Sequence, residues 1–248
     1  MKTTFKRFLS ELDYKQIDTK LEYHSELNPK LWQNSELDSE VLEALKKIAS
    51  EFIEFLAIPP SSVVDVIITG SNCSFNYSSL SDVDLHLVID EKAACPDCPG
   101  SFIDDCFRAK KNLWNKDHNI KIKGYDVELY AQPKDDNLVA AGVFSVTKNQ
   151  WIKKPISGDK PSYDDTSVKL KAAEIMDDID SSIDDKVTDV SSLQDIKNKI
   201  KKLRQSGLET GSEFGIENLV FKTIRNNGYL DKLDTYMQNI QDADLSLN

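Results

Sequence analysis

Glycine and proline are scarce: nine and eight in 248 residues. So few turn-makers exclude an all-β protein built from many tight hairpins and favour long helices. No run approaches the ~20 consecutive apolar residues that a membrane-spanning helix requires. The opening residues, MKTTFKRFLSELDYKQ, carry positive charge but no continuous apolar stretch, so no secretory signal is read there. Four cysteines do not make a disulfide scaffold; without an export signal they are expected as reduced thiols in a cytoplasm. Positive charge is also short. Lysine and arginine number 31 against 42 acids, a formal net charge of −11. That sign excludes proteins that coat DNA or anionic lipid over their whole surface and leaves room only for a local basic patch.

What remains supports a packed core: 40% of the residues are hydrophobic and 29% charged. Phe5, Phe8, Leu9 and Leu12 have helical spacing, and Asn28-Pro29 breaks the chain. Asp38 is placed to cap a helix whose stripe contains Val41, Leu45, Ile48, Phe52 and Phe55, ended by Pro59-Pro60. Residues 63–69, VVDVIIT, read as a buried strand closed by Gly70-Ser71. Residues 82–90, DVDLHLVID, alternate: Asp82, Asp84 and His86 on one face, Val83, Leu85 and Leu87 on the other. A helix follows near 101–116, then a strand or bent pair over 120–130 with Gly124 at the bend, then a hairpin around Thr147-Lys148-Asn149. Beyond a linker at 156–166 the chain reads as four helices, near 167–186, 191–205, 213–226 and 229–243, with Gly207 and Gly228 as C-terminal caps. The expected organisation is an N-terminal core over 1–155 and a helical acceptor or cover domain over 156–248.

Three pieces carry chemistry. Gly70-Ser71 after a buried strand lets the backbone approach a ligand closely, with amides and a hydroxyl suited to phosphate oxygens. Asp82 and Asp84, at i and i+2, point to the same side, and their repulsion is relieved by a hard cation such as Mg²⁺ or Mn²⁺. Glu128, between Val127 and Leu129, supplies a third carboxylate if its strand lies beside the first; Asp126 is the rival on that face. Three carboxylates can hold two cations ~3.5–4 Å apart, the geometry of two-metal phosphoryl transfer.

Gly70-Ser71, then Asp82-Val83-Asp84-Leu85, then Val127-Glu128-Leu129 together resemble the DNA polymerase β-type nucleotidyltransferase superfamily, over about residues 36–152. The chain as a whole is similar to uncharacterised nucleotidyltransferase-like proteins encoded by bacteriophages. The resemblance implies an α/β fold: a mixed sheet with flanking helices, followed by the C-terminal helical region. It implies two Mg²⁺ or Mn²⁺ on Asp82, Asp84 and Glu128, and Gly70 and Ser71 on the phosphates of a nucleoside triphosphate, ATP included. A nucleoside monophosphate would pass to a hydroxyl of RNA or tRNA, of a protein or of a small molecule, releasing diphosphate in a cytoplasm, the host's if the chain is phage-encoded. Two other readings use the same residues: synthesis of a nucleotide messenger, and a non-catalytic nucleotide-binding protein that blocks a host factor. No lysine or arginine follows Gly70-Ser71 closely, and the Gly-Gly…Arg-Asp signature of CCA-adding enzymes is absent.

Outside the core pattern, the dense basic run Lys197, Lys199, Lys201, Lys202 and Arg204 follows an acidic run over 174–189. Lys201 and Arg204 are candidate phosphate contacts; mutual attraction of two solvated helices is the simpler reading. Lys222 and Arg225 are similar candidates. Cys95 and Cys98, with Cys106 and His118, are spaced irregularly for zinc. Trp151 reads as core and His86 as a hydrogen-bonded structural histidine.

Overall fold

A computed structural model describes residues 14–136, 138, 140–157, 162–211 and 215–247. The helix expected at Phe5–Leu12 lies outside them. The chain separates into two compact units. One runs from Glu22 to Lys160; the other joins the residues up to Leu21 to those from Pro161 onward. Residues 14–21, assigned by their position to the N-terminal core, instead pack with the C-terminal helices: Ile17 and Leu21 lie against that unit's apolar core.

In the first unit β1 (Trp32–Gln33) and β2 (Glu36–Leu37) form a small hairpin leading into α1 (Ser39–Leu56). Asp38 caps α1, its side chain accepting from the amides of Glu40 and Val41 at 2.9 and 3.2 Å. The helix ends at Ala57 in the left-handed conformation, and the Lys110 ammonium donates to the Phe55 and Leu56 carbonyls. Then come β3 (Val63–Thr69), β4 (Val83–Ile89), the short α2 (Glu91–Ala94), α3 (Gly100–Asp117), β5 (Lys121–Ile122), β6 (Tyr125–Pro133), β7 (Val143–Ser145) and β8 (Gln150–Lys153).

The strands form one mixed sheet in the order β5-β6-β4-β3-β7-β8. Only β4 and β6 pair in parallel, because the α2–α3 crossover separates them; the other neighbours are antiparallel. Lys123 and Gly124 both take positive φ, so residues 120–130 are a bent pair. One face, with Val83, Leu85, Leu87, Val127 and Leu129, meets Leu45, Phe52, Phe107 and Trp114 of α1 and α3 in one apolar core. Fully burying such side chains contributes roughly 1.5–3 kcal/mol each. Trp151 stacks on Trp32 with centroids 4.5 Å apart and donates to the Ser35 carbonyl, as a core residue does.

The second unit contains α4 (Asp165–Asp184), α5 (Val190–Gly211), α6 (Ile216–Asn226) and α7 (Tyr229–Leu245). Its core includes Val168, Ile179, Leu193, Val220, Ile224 and Leu233. Gly228 has φ +78° and follows α6, where a left-handed residue is needed. Gly207 is not a cap: it lies inside α5, where a side chain would overlap the backbone nitrogen of Asn218 on α6. Its role is close helix approach. Among the described residues no helix is long and apolar enough to cross a membrane.

Candidate metal centre

The site is built on the face of the sheet opposite α1 and α3. The side-chain period of two puts Asp84, His86 and Val88 of β4 on that face. Parallel register places Glu128 beside Asp84 and Tyr130 beside His86. Asp82 stands just before β4. Asp82, Asp84 and Glu128 each offer a carboxylate oxygen within 4.8 Å of the others, and all three are half-buried. No second group of three such ligands exists among the described residues. Asp126, the rival third acid, is exposed and paired with Lys121 on β5.

Gly70 follows β3 and packs against the Asp84 carboxylate. Its φ is +80°, and any Cβ there would overlap Asp84 Oδ2. Conformation and space both require glycine. Ser71 begins a 3₁₀ turn, Ser71–Cys73, and its hydroxyl donates to Ser81 at 2.8 Å. Asn72 fastens this turn to the acidic segment by donating to the Asp82 carbonyl at 2.7 Å. It is held in turn by Asn28, which donates to its side-chain oxygen at 2.7 Å, and by the Trp32 indole, which donates to its carbonyl at 2.7 Å. The segment around Asn28-Pro29 is therefore a brace for the Ser71–Cys73 turn.

The third carboxylate is positioned from α3. Asn115 donates to the Leu129 carbonyl and accepts from the Leu129 amide, both at 3.0 Å, so it clamps β6 beside Glu128. One turn earlier, Lys111 Nζ lies 3.1 Å from Glu128 Oε1 and 4.0 Å over the Tyr130 ring. Burial, then Asp84 and Glu128, raise the Tyr130 pKa far above the ordinary value, so its hydroxyl stays protonated and bonded to Glu128. His86 stacks on Tyr130 with centroids 4.5 Å apart, and its Nδ1 meets Gln132. Burial lowers the His86 pKa to about 4, which keeps the ring neutral and structural.

No family model, curated protein or solved structure matches this chain. The chemistry of the site rests on its own geometry. Three carboxylates converging from two strands and a loop make an all-oxygen donor set, which fits a hard divalent cation such as Mg²⁺ or Mn²⁺. A cleft of about 380 Å³ opens beside it, between the end of α3 (Asn115, His118) and β6 (Asp126, Glu128), and reaches Asp82.

The other sequence candidates fall elsewhere. Lys201 and Arg204 stand on α5, in the helical unit, where Arg204 packs its guanidinium over Phe221 at 4.8 Å. Lys199 reaches Asp178 of the acidic run at 3.4 Å, the helix-to-helix attraction that the charge pattern suggested. Cys95 and Cys98 are not free thiols: a disulfide joins them, which takes both from any zinc site. Two residues at the centre have no motif. Tyr130 was legible only as the next residue after Glu128 on the same face. Lys111 gave no signal beyond its place on the polar side of an amphipathic helix.

Proposed function

We propose that the protein is a metal-dependent nucleotidyltransferase that moves a nucleoside monophosphate from a nucleoside triphosphate to a hydroxyl acceptor. The observation that carries this is the convergence of Asp82, Asp84 and Glu128 on one sheet face, with the Gly70-Ser71 turn packed against Asp84. The nucleotidyltransferase-like fold belongs to the same proposal; its support is the sheet in which β4 and β6 run parallel beside an antiparallel β3.

In this reading Asp82, Asp84 and Glu128 would hold two divalent ions, with Asp82 and Asp84 serving both. Bound there, the ions supply charge neutralisation for the triphosphate and lower the acceptor hydroxyl's pKa. Gly70 lets the backbone of the 71–73 turn come close to the phosphates without a side chain between. Asn72 keeps that turn in step with Asp82. The acceptor oxygen forms a bond to the α-phosphorus, the α–β anhydride bond breaks, diphosphate leaves and the hydroxyl proton passes to solvent. The cleft bordered by His118 and Asp126 gives the acceptor an approach to the carboxylates. Lys201 and Arg204 have no part in the proposal.

The test is incubation of the full chain with each α-phosphate-labelled triphosphate, Mn²⁺ or Mg²⁺, and a bacterial lysate. Transfer of label should fall by more than about a hundredfold in the Asp82→Ala, Asp84→Ala double variant. Transfer that survives in the double variant sinks the mechanism. Product formed from triphosphates alone points to a messenger synthase, and tight binding without turnover across acceptors to a binding protein.

A further inference from the structure

The helix α3 sends two adjacent lysines to different duties. Lys110 closes the C-terminal end of α1. Lys111 turns the other way and places its ammonium on the third carboxylate of the acidic centre, 3.1 Å from Glu128 Oε1. This is not an ordinary surface pair. The Lys111 side chain is only 21% exposed and that of Glu128 35%. The ammonium also sits 4.0 Å above the Tyr130 ring, whose hydroxyl is itself bonded to Glu128. Aromatic face and carboxylate together fix the charge in place. Asn115, one turn on, anchors the same helix to the β6 backbone, so Lys111 cannot drift with a loose helix.

Three carboxylates with oxygens within 4.8 Å of one another repel strongly. In the metal-free protein a cation supplied by the chain relieves that repulsion. A divalent ion at the same carboxylates would touch oxygens at about 2.0–2.6 Å and would lie a few ångströms from the ammonium. Two like-charged cations at that separation, in a partly buried site, compete.

We infer that Lys111 is a tethered counter-ion of the acidic centre: it holds Glu128 in the metal-free protein and competes with divalent metal for it. Lys111 is then a positioning residue that sets how readily the centre loads. The inference rests on the metal-binding reading of Asp82, Asp84 and Glu128, and the two can fail separately.

The experiment is calorimetric titration of Mn²⁺ into the full-length protein, comparing wild type with Lys111→Met, Lys111→Gln and Lys111→Arg. Lys121→Met is the control: it removes the same charge from the partner of Asp126, not of Glu128. Lys111→Met and Lys111→Gln should each bind Mn²⁺ about tenfold more tightly than wild type, Lys111→Arg within about twofold, and Lys121→Met within about twofold. Two uncharged replacements keep the test open should one fold poorly. Unchanged or weaker Mn²⁺ binding in the folded uncharged variants overturns the inference, as does an equal gain in Lys121→Met, which reduces the effect to net charge. Mn²⁺ affinity that ignores Asp82→Ala in the wild-type background overturns the metal reading instead.

Discussion

The two units use charge in opposite ways. In the helical unit acids and bases meet in the outer layer: Lys232 with Asp180 at 2.6 Å, Lys197 with Asp234 at 2.6 Å, Lys171 with Glu217 at 3.2 Å. Each pair has one partner of each sign, with side chains 31–53% exposed, and contributes little. In the sheet unit three half-buried acids bring their oxygens within 4.8 Å of one another, and one of them, Glu128, meets a half-buried lysine. Exposed, paired charge solubilises a bundle. Crowded acid is costly, and that cost is relieved when a cation arrives. The proposed function places the chemistry in the sheet unit, although the helical unit holds the denser basic run.

The sharpest way to break this comparison is at two glycines. Gly70→Ala forces a side chain into Asp84 at φ +80°. It is expected to cost about 1–3 kcal/mol and to abolish Mn²⁺ binding, since the ligand itself must move. Gly207→Ala drives a methyl into the α6 backbone at Asn218 and should destabilise the helical unit by a similar amount. Its Mn²⁺ affinity should stay at the wild-type value. Denaturant melts and Mn²⁺ titrations of both variants check this. Equal loss of metal binding in the two would erase the distinction.

Titration separates the units next. His86 is neutral in the folded sheet unit with its pKa lowered to about 4, against ~6.5 when unfolded. Below pH 6.5 the unfolded chain therefore binds the extra proton first, and stability falls as pH drops through that window, by roughly 3 kcal/mol at its lower end. In the helical unit, burial and the hydrogen bond to Asp180 raise the Tyr229 pKa to about 12. Its contribution is intact below pH 10 and is lost as pH rises toward 12. Unfolding curves in EDTA across pH should show the acid limb flattened by His86→Gln and the alkaline limb flattened by Tyr229→Phe.

The smallest effect concerns Arg204. Arg204→Ala removes a guanidinium stacked on Phe221 and should cost about 0.5–1 kcal/mol, with Mn²⁺ affinity and label transfer unchanged. A drop in transfer at full stability would restore this residue to the phosphate-binding role that its charge suggested.

Much of the first unit was legible because its signals are local. Alternation in residues 82–90 set which side chains share the face of Asp84, and Asp38 marked the start of α1. Apolar neighbours favoured Glu128 over Asp126; the structure adds that Asp126 lies at the β5 edge, where Lys121 takes it. What was hidden is long-range or covalent. Lys110 and Lys111 are neighbours on one helix, yet one caps a helix remote in sequence and the other meets a different strand. Cys95-Pro96-Asp97-Cys98 has no pattern that tells a disulfide from two thiols. Residues 14–21 belong to helices that follow them by well over a hundred positions, which no window reveals. Gly207 has the composition of a cap and the duty of a contact, and only the arrival of α6 decides between them.

The single parallel pairing, β4 with β6, has a consequence in time. Asp82 and Asp84 leave the ribosome well before Glu128, and the intervening chain must cross the sheet before β6 can dock. The nascent protein thus holds two repelling acids on an incomplete sheet, and the lysine that steadies the third is made ahead of its partner. The three carboxylates converge only when β6 locks into register beside β4. On the proposed reading, a bound metal ion would report that this parallel pairing has closed.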